Sequence, residues 1–543
     1  MNAIASPPHS SGKVVCWNKN AVSTALDHLG AQQPLLLGYL TDILNRYHKW
    51  NRSTSYYDVL CGEWLMHFSH VVYSHYIGIT HGGTCKTTQN PIAVFSDFYD
   101  YQFAMVGNSA LNDQLREIST ALLNGRSPKH HLLSGQTVNF SRPQKSLLAK
   151  LKWGIKSLGQ KSVGNPNAQV LICQPYAKCL NTDWVKTMIR WRAWARQDDF
   201  EYSIDVSARI DSAWRYQSAA SIKVGNYREL VFALLPIYVP ALYLEGLSTY
   251  RAAAHALGLK RPAVAFTATS LHGHSLFKVL AADWRDDGMR IINRQHGGGY
   301  GIDRLHASEE YETRVADRFC TMGWRGNSPK QAPLKTPLSR EQFQCTPVKG
   351  RILLTCIHYP KQVYRIHFQP MPGTIDTMIA ETASFVGATA GWPELRVRSF
   401  PNDYGSGLVK ILKAANPELH LDDMRVTGLH SYLQAELVAH SYLGTSWLET
   451  LALNIPTVCF YDPQTYDFRE AVIPFIDRFE SAGILHRDGA AAASFIGNIR
   501  KNPRSWWNSP DIQNLRREFV EQYANFSPDW AREWEQELSN WVH

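Results

Sequence analysis

The chain has 543 residues, 44% hydrophobic and 19% charged, with a formal net charge of +9 at pH 7. That length exceeds what one core organises, so two sizeable domains are expected, and the apolar content excludes a disordered chain. Nine scattered cysteines, without a C-x-x-C pair or zinc-like Cys/His spacing, exclude a disulfide scaffold or zinc module, and the positive excess suits an anionic partner.

From Met1 to His9 there is no basic region followed by an apolar one, so no secretory signal is expected and the location is read as cytoplasmic. Residues 1–140 read as mainly helical. Leu35, Leu36, Leu37, Leu40, Ile43 and Leu44 form one apolar face, and Trp64, Leu65, Phe68, Val71 and Val72 form another. Between Arg142 and Lys178 lie seven Lys or Arg and no acid. From Lys145 to Lys161 the apolar Leu147, Leu148, Leu151, Ile155 and Leu158 share a helical face, with Lys145, Lys150, Lys152 and Lys156 around them. This segment is either an amphipathic helix on the anionic inner face of the cytoplasmic membrane or a solvated helix on its own domain. No recognition motif accompanies the charge, so nucleic acid is not an expected partner.

A run of α/β units follows. Val170-Leu171-Ile172-Cys173 and Ala263-Val264-Ala265-Phe266 read as short buried strands. Residues 230–244 are uncharged but too short to span a membrane, and they carry Pro236 and Pro240. Arg290-Ile291-Ile292 leads into a glycine-rich turn. Residues 331–349, rich in Pro, Lys, Gln and Thr, read as a linker. A second series begins at Arg351-Ile352-Leu353-Leu354 and continues through Leu395-Arg396-Val397-Arg398, Leu437-Val438-Ala439 and Thr457-Val458-Cys459-Phe460. The last segment is helical and carries Trp506, Trp507, Trp530, Trp534 and Trp541. The expected organisation is α/β and GT-B-like: a Rossmann-like domain over 1–330 with a helical N-terminal elaboration, a linker over 331–349, a second Rossmann-like domain over 350–500, and helices over 501–543 packing back across the cleft. Ligands then belong in the cleft, outside the carboxyl ends of the strands.

The strongest motif is Gln295-His296-Gly297-Gly298-Gly299-Tyr300-Gly301, directly after a strand. Adjacent glycines let backbone approach a ligand and offer N–H groups to an anion, and His296 can donate to a phosphate or sugar oxygen. The bland alternative is a tight turn with a core histidine. Glu309, Glu310 and Glu312 follow, as carboxylates for an acceptor hydroxyl or as a solvated helix face. In the second half, Thr445 and Ser446 open a helix, which suits phosphate, and Glu449 one turn later suits a ribose diol; an ordinary N-cap would look the same. His358 and Arg365 follow the first strand of that half and are expected in the same cleft. Glu245 closes an apolar, proline-bracketed stretch and is the first candidate for a nucleophile, with Asp205 and Glu312 as alternatives, unless it caps a helix or pairs with Arg251. No Asp-Asp pair follows a strand, so no metal is expected, and no resident cofactor.

Four stretches together resemble a family of transferases encoded in O-antigen and surface-polysaccharide clusters. They are Asn51-Arg52-Ser53-Thr54-Ser55-Tyr56-Tyr57 continuing to Gly62-Glu63-Trp64-Leu65; Leu235-Pro236 to Tyr243-Leu244-Glu245; Gln295-His296-Gly297-Gly298 with Tyr300-Gly301, Glu312, Asp317 and Gly323-Trp324; and Ser446-Trp447-Leu448-Glu449-Thr450 with Ile455-Pro456-Thr457. That family is distantly similar to retaining transferases that use CMP-activated Kdo or nonulosonic acids. The resemblance implies a glycosyltransferase with a CMP-linked donor, a lipid-linked or oligosaccharide acceptor of lipopolysaccharide, O-antigen or capsule, no metal, and a carboxylate nucleophile. A UDP- or GDP-hexose transferase and a non-catalytic carbohydrate-binding assembly protein are the alternatives.

Overall fold

The structure, a computed structural model, describes residues 17–83, 91–132, 135–140, 165–176, 181–338, 347–360, 362–368, 374–400 and 403–542. The basic segment from Lys145 to Lys161 lies outside the described residues. Two long helices begin the fold. Lys19–His48 is capped by Asn18, whose side chain accepts from the Ala21 amide at 2.9 Å. Thr54–Thr80 is capped by Ser53 in the same way. The second of these is apolar nearly all round, so it becomes the centre of the helical region rather than a surface helix. It packs against Lys19–His48, Ser109–Leu123, Tyr227–Tyr238, Ser275–Asp286 and Ala307–Val315.

Strands are numbered in chain order. β1 (Thr137–Asn139) and β4 (Ser207–Arg209) form a small antiparallel ribbon. β2 (Val170–Cys173), β3 (Ala195–Gln197), β5 (Val264–Thr267), β6 (Arg290–Arg294), β7 (Arg318–Thr321) and β8 (Gln331–Pro333) form a parallel sheet in the order β3-β2-β5-β6-β7-β8. β2 and β5 are buried along their whole length, as a parallel sheet covered on both faces requires. Helices of the N-terminal region cover one face. The other is covered by the C-terminal helix Trp530–Ser539, whose Trp530, Trp534 and Leu538 pack on Val170, Ile172, Val264, Phe266 and Ile292.

The second parallel sheet contains β10 (Ile352–Thr355), β11 (Leu395–Arg398), β12 (Leu437–His440), β13 (Thr457–Phe460) and β14 (Leu485–His486), in the order β11-β10-β12-β13-β14. Helices Ile375–Ala388 and Gly489–Ile499 pack on one side, and Thr445–Ala452 with Pro510–Tyr523 on the other. Two parallel α/β domains with a C-terminal helix returning to the first make this a GT-B fold.

The linker expectation needs correction at its start. Residues 331–333 are β8, the edge of the first sheet, and β9 (Thr336–Pro337) pairs with β15 (Phe526–Ser527). The prolines that suggested a linker are tolerated because an edge strand leaves amide positions out of the ladder. Among the described residues no helix is long and apolar enough to cross a membrane.

Candidate functional site

The glycine turn after β6 and the start of the helix Thr445–Ala452 were separate motifs in the chain, and the fold presses them together. A Cβ on Gly298 would lie 2.5 Å from the Gly444 carbonyl carbon and 2.6 Å from the Thr445 nitrogen, both backbone atoms of the other domain. Only glycine allows that approach. The segment that follows is zipped to the second domain. The Arg304 amide donates to the Asp467 carbonyl at 2.8 Å, the Arg469 amide to the Ile302 carbonyl at 3.0 Å, and Arg469 Nη2 donates to both Glu309 oxygens at 2.7 and 2.9 Å.

Beside this junction lies a cluster of titratable groups at the carboxyl ends of β5 and β6. The two ring nitrogens of His272 donate to Glu63 and to Glu312, the latter at 2.5 Å. Lys278 stands 3.5 Å from Glu63, and the Gly273 amide donates to Glu63 at 3.1 Å. Tyr300 donates its hydroxyl to Glu312 at 2.7 Å. Glu63 and Glu312 are buried, whereas the His272 and His296 side chains are 22% and 21% exposed. The rings therefore form the accessible face and the carboxylates lie behind.

Charges in the cluster follow from these contacts. Burial alone disfavours an imidazolium, but Glu63 and Glu312 outweigh it and raise His272 to about 10, so the ring is charged at neutral pH. Burial opposes ionisation of Glu63, yet His272 and Lys278 hold it down at about 2. Burial raises the Glu312 pKa despite the same histidine and the Tyr300 hydroxyl. His296 lies well below its ordinary value through burial, then the His272 and Arg365 charges, and is neutral. Its Nδ1 faces Glu312 Oε1 at 3.8 Å, too far for a hydrogen bond, and Glu312 Oε2 is enclosed without a partner.

One ligand atom each of His272, His296 and Glu312 lies within 4.8 Å of the others, a spacing a divalent cation could use after displacing the His272 proton. His272 and Lys278 together bring two positive charges to the carboxylates of Glu63 and Glu312.

Arg365 enters from the second domain. Its Nη1 donates to Ser308 of the first at 2.6 Å, and its Nε is enclosed without a partner. Among the described residues no carboxylate pairs with it. Asp303, after the glycine turn, is a further cleft residue: burial raises its carboxyl to about 8, against the nearby Arg469 charge.

The expected site residues separate into two groups. His296, Glu312, Tyr300, Gly297, Gly298, Thr445 and Arg365 come together at the junction. The others are held by protein partners. The Gln295 side chain is fully buried, accepting from the Met322 amide and the Trp324 indole and donating to the Gly297 carbonyl, so it shapes the turn instead of touching a ligand. His358 is held by Ser406 at 2.8 Å. The Ser446 hydroxyl lies 3.3 Å from His440 and 3.2 Å from Tyr442. Glu449 is buried, near enough to Tyr432 to add to the upward push that burial gives that phenol.

The largest correction is Glu245. Both of its oxygens are taken by Arg215, Oε1 from Nε and Oε2 from Nη2 at 2.7 Å each, with both side chains almost fully enclosed. Arg215 also donates to the Pro236, Ile237 and Val239 carbonyls. A carboxylate so engaged braces the proline-bracketed stretch and is not free to attack a sugar; Arg215, not Arg251, is its partner.

Glu63 and His272 were missed as site residues. The sequence signal for Glu63 was an acid in the middle of an otherwise apolar helix, next to Trp64 and Leu65.

Residues 16–538 match the model of a family described as LIC12162 family transferase. No curated protein matches the chain. Among solved structures, TarM is 12% identical over 54% of this chain and 58% of its own length, with a TM-score of 0.35. The spinosyn rhamnosyltransferase SpnG with its aglycone is 13% identical over 68% and 100% at 0.35, and the O-GlcNAc transferase of Thermobaculum terrenum is 12% identical over 96% and 97% at 0.34. The chain thus spans little more than half of TarM.

Proposed function

The chain belongs to the LIC12162 family of transferases, and we propose that the group it transfers is a sugar, taken from a nucleotide-linked donor bound where the two domains meet. Arg365 carries this reading. An enclosed guanidinium nitrogen without an acidic partner is costly until an anion arrives, and its planar fork suits a phosphate or a carboxylate. The N-terminus of the helix Thr445–Ala452, packed on the glycine turn, adds a second positive feature a short way off.

A CMP-linked 3-deoxy-ulosonic acid is the preferred donor, because it offers two anions, a phosphate and a sugar carboxylate, for these two features. A UDP- or GDP-hexose would leave the sugar itself uncharged. Neutral His296 would donate a hydrogen bond to a donor oxygen as charge develops on the leaving phosphate. Glu312, held by His272 and Tyr300 behind the rings, is the carboxyl placed to exchange a proton with His272. The acceptor is a surface glycan, lipid-linked or free, met on the cytoplasmic side of the membrane.

Calorimetry with CMP, UDP and GDP, followed by CMP against a CMP-linked ulosonic acid, tests the reading. Arg365→Ala should weaken the acidic donor more than CMP alone. Binding of none of the three nucleotides, or equal affinity in wild type and Arg365→Ala, would overturn it.

A further inference from the structure

Residues 362–368 follow β10 of the second domain, yet they are built into the core of the first. Ile366 and Phe368 are buried members of the apolar core that the N-terminal helices form, and Val363 packs on its edge. Burial of two large apolar side chains anchors so short a segment. Arg365 is thus carried by a strap that the second domain supplies and the first domain holds.

The holding surface is a polar stripe on the central helix. Thr54–Thr80 is apolar nearly all round, but Glu63, His67 and His70 interrupt it at spacings of four and three, which places them along one face. Glu63 at one end holds His272 of the cluster. His67 lies beside the Tyr364 ring of the strap, with centroids 5.8 Å apart. At the other end, His70 Nδ1 accepts from the Ile366 amide at 3.0 Å, and the bond is buried. That amide belongs to the peptide plane joining Arg365 to Ile366, so holding it fixes the backbone from which the guanidinium departs. An amide donates only to an unprotonated ring nitrogen; burial, then the Arg365 charge, hold His70 down at about 3, and it is neutral. At the far end of the side chain, Arg365 Nη1 donates to Ser308 at 2.6 Å. Both the root and the tip of Arg365 are therefore set by the first domain.

We propose that His70 is the positioning residue for Arg365: by fixing the Ile366 amide it aims the guanidinium at the anion of the donor sugar, so that preference for an acidic sugar is set from across the domain junction. The inference rests on the reading of Arg365 as the holder of that anion. His70 itself touches no ligand in this scheme and acts only through the strap.

Calorimetry on the full chain with CMP and with a CMP-linked ulosonic acid tests it, read as the ratio of the two affinities. His70→Leu keeps bulk but removes the acceptor, and should weaken the acidic donor about tenfold more than CMP. His70→Asn, whose side-chain oxygen can accept from the same amide, should restore the ratio. Ser308→Ala removes the second hold and should act in the same direction as His70→Leu, which keeps the test decisive if His70→Leu does not fold. In an Arg365→Ala background His70→Leu should change the ratio no further, because nothing is left to position. An unaltered ratio in His70→Leu, an equal loss for CMP and the acidic donor, or a loss that adds in full to that of Arg365→Ala would overturn the proposal. If Arg365→Ala by itself leaves the ratio unchanged, the donor reading fails and takes this proposal with it, so the two failures are told apart.

Discussion

Replacing Gly298 with alanine adds one carbon where the glycine turn touches the backbone at the start of the second domain's helix. The φ angle there is not in the left-handed region, so alanine is conformationally acceptable and the effect is steric. The new Cβ would sit 2.5 Å from Gly444 C, 2.6 Å from Thr445 N and 2.9 Å from Gly444 O, whereas ordinary contact begins at 3.4 Å. No flexible side chain can yield, so the domains must part by about 1 Å, a displacement that costs roughly 10²-fold when reacting groups are misplaced. Overpacking of this kind costs about 1–3 kcal/mol, less if the domains separate as rigid bodies. Steady-state turnover and urea denaturation would read the two effects: kcat should fall about 10²-fold while the midpoint moves little. Normal turnover together with normal stability would show that the contact at Gly298 does not register the two halves of the site, and the reasoning would fail.

Three further outcomes follow from the buried charges. Glu245→Gln strands Arg215 among carbonyls and should cost about 3–5 kcal/mol of stability, with the folded fraction keeping its specific activity; a fully stable but inactive variant would return Glu245 to the chemistry. The His272 contribution to stability should be complete below its unfolded value of 6.5 and disappear as pH rises through about 10, so the stability gap between wild type and His272→Gln should narrow from pH 6 to pH 10 in denaturant titrations; a constant gap would contradict a charged His272. Glu63 works in the other direction, with its contribution complete above 4.5 and lost as pH falls through about 2, so below pH 4 the denaturation midpoint should fall more steeply in wild type than in Glu63→Gln, and parallel falls would contradict it.

The strand runs were legible because a doubly covered parallel sheet needs short continuous apolar segments, and those at 170–173, 352–355, 437–440 and 457–460 formed where expected. The glycine turn and Thr445 were legible for their backbone properties, but no local pattern shows that Gly298 meets Gly444. The Arg215–Glu245 pair was hidden for the same reason: thirty residues separate the partners, and the nearer Arg251 pairs with Asp283 instead. Glu63 stood out as an acid in a largely apolar helix, but its partners His272 and Lys278 lie more than two hundred residues away in the chain, so no local pattern joined them. β8 was misread because proline argues against a strand only where the strand is central.

The return of the helix Trp530–Ser539 to the first sheet affects how the chain can be made. All six strands of that sheet leave the ribosome before the strands of the second, yet one face is covered only in part, by Met188 and Trp191, until Trp530 and Trp534 arrive. At about 5–20 residues per second, the wait from Cys320 to Trp530 is on the order of ten seconds or more. Throughout that interval the part of Val170, Ile172, Val264, Phe266 and Ile292 that Trp530, Trp534 and Leu538 will cover faces solvent. Chains cut short before residue 530 would keep that surface indefinitely, and should be recovered with chaperones or in aggregates even when their second domain is intact.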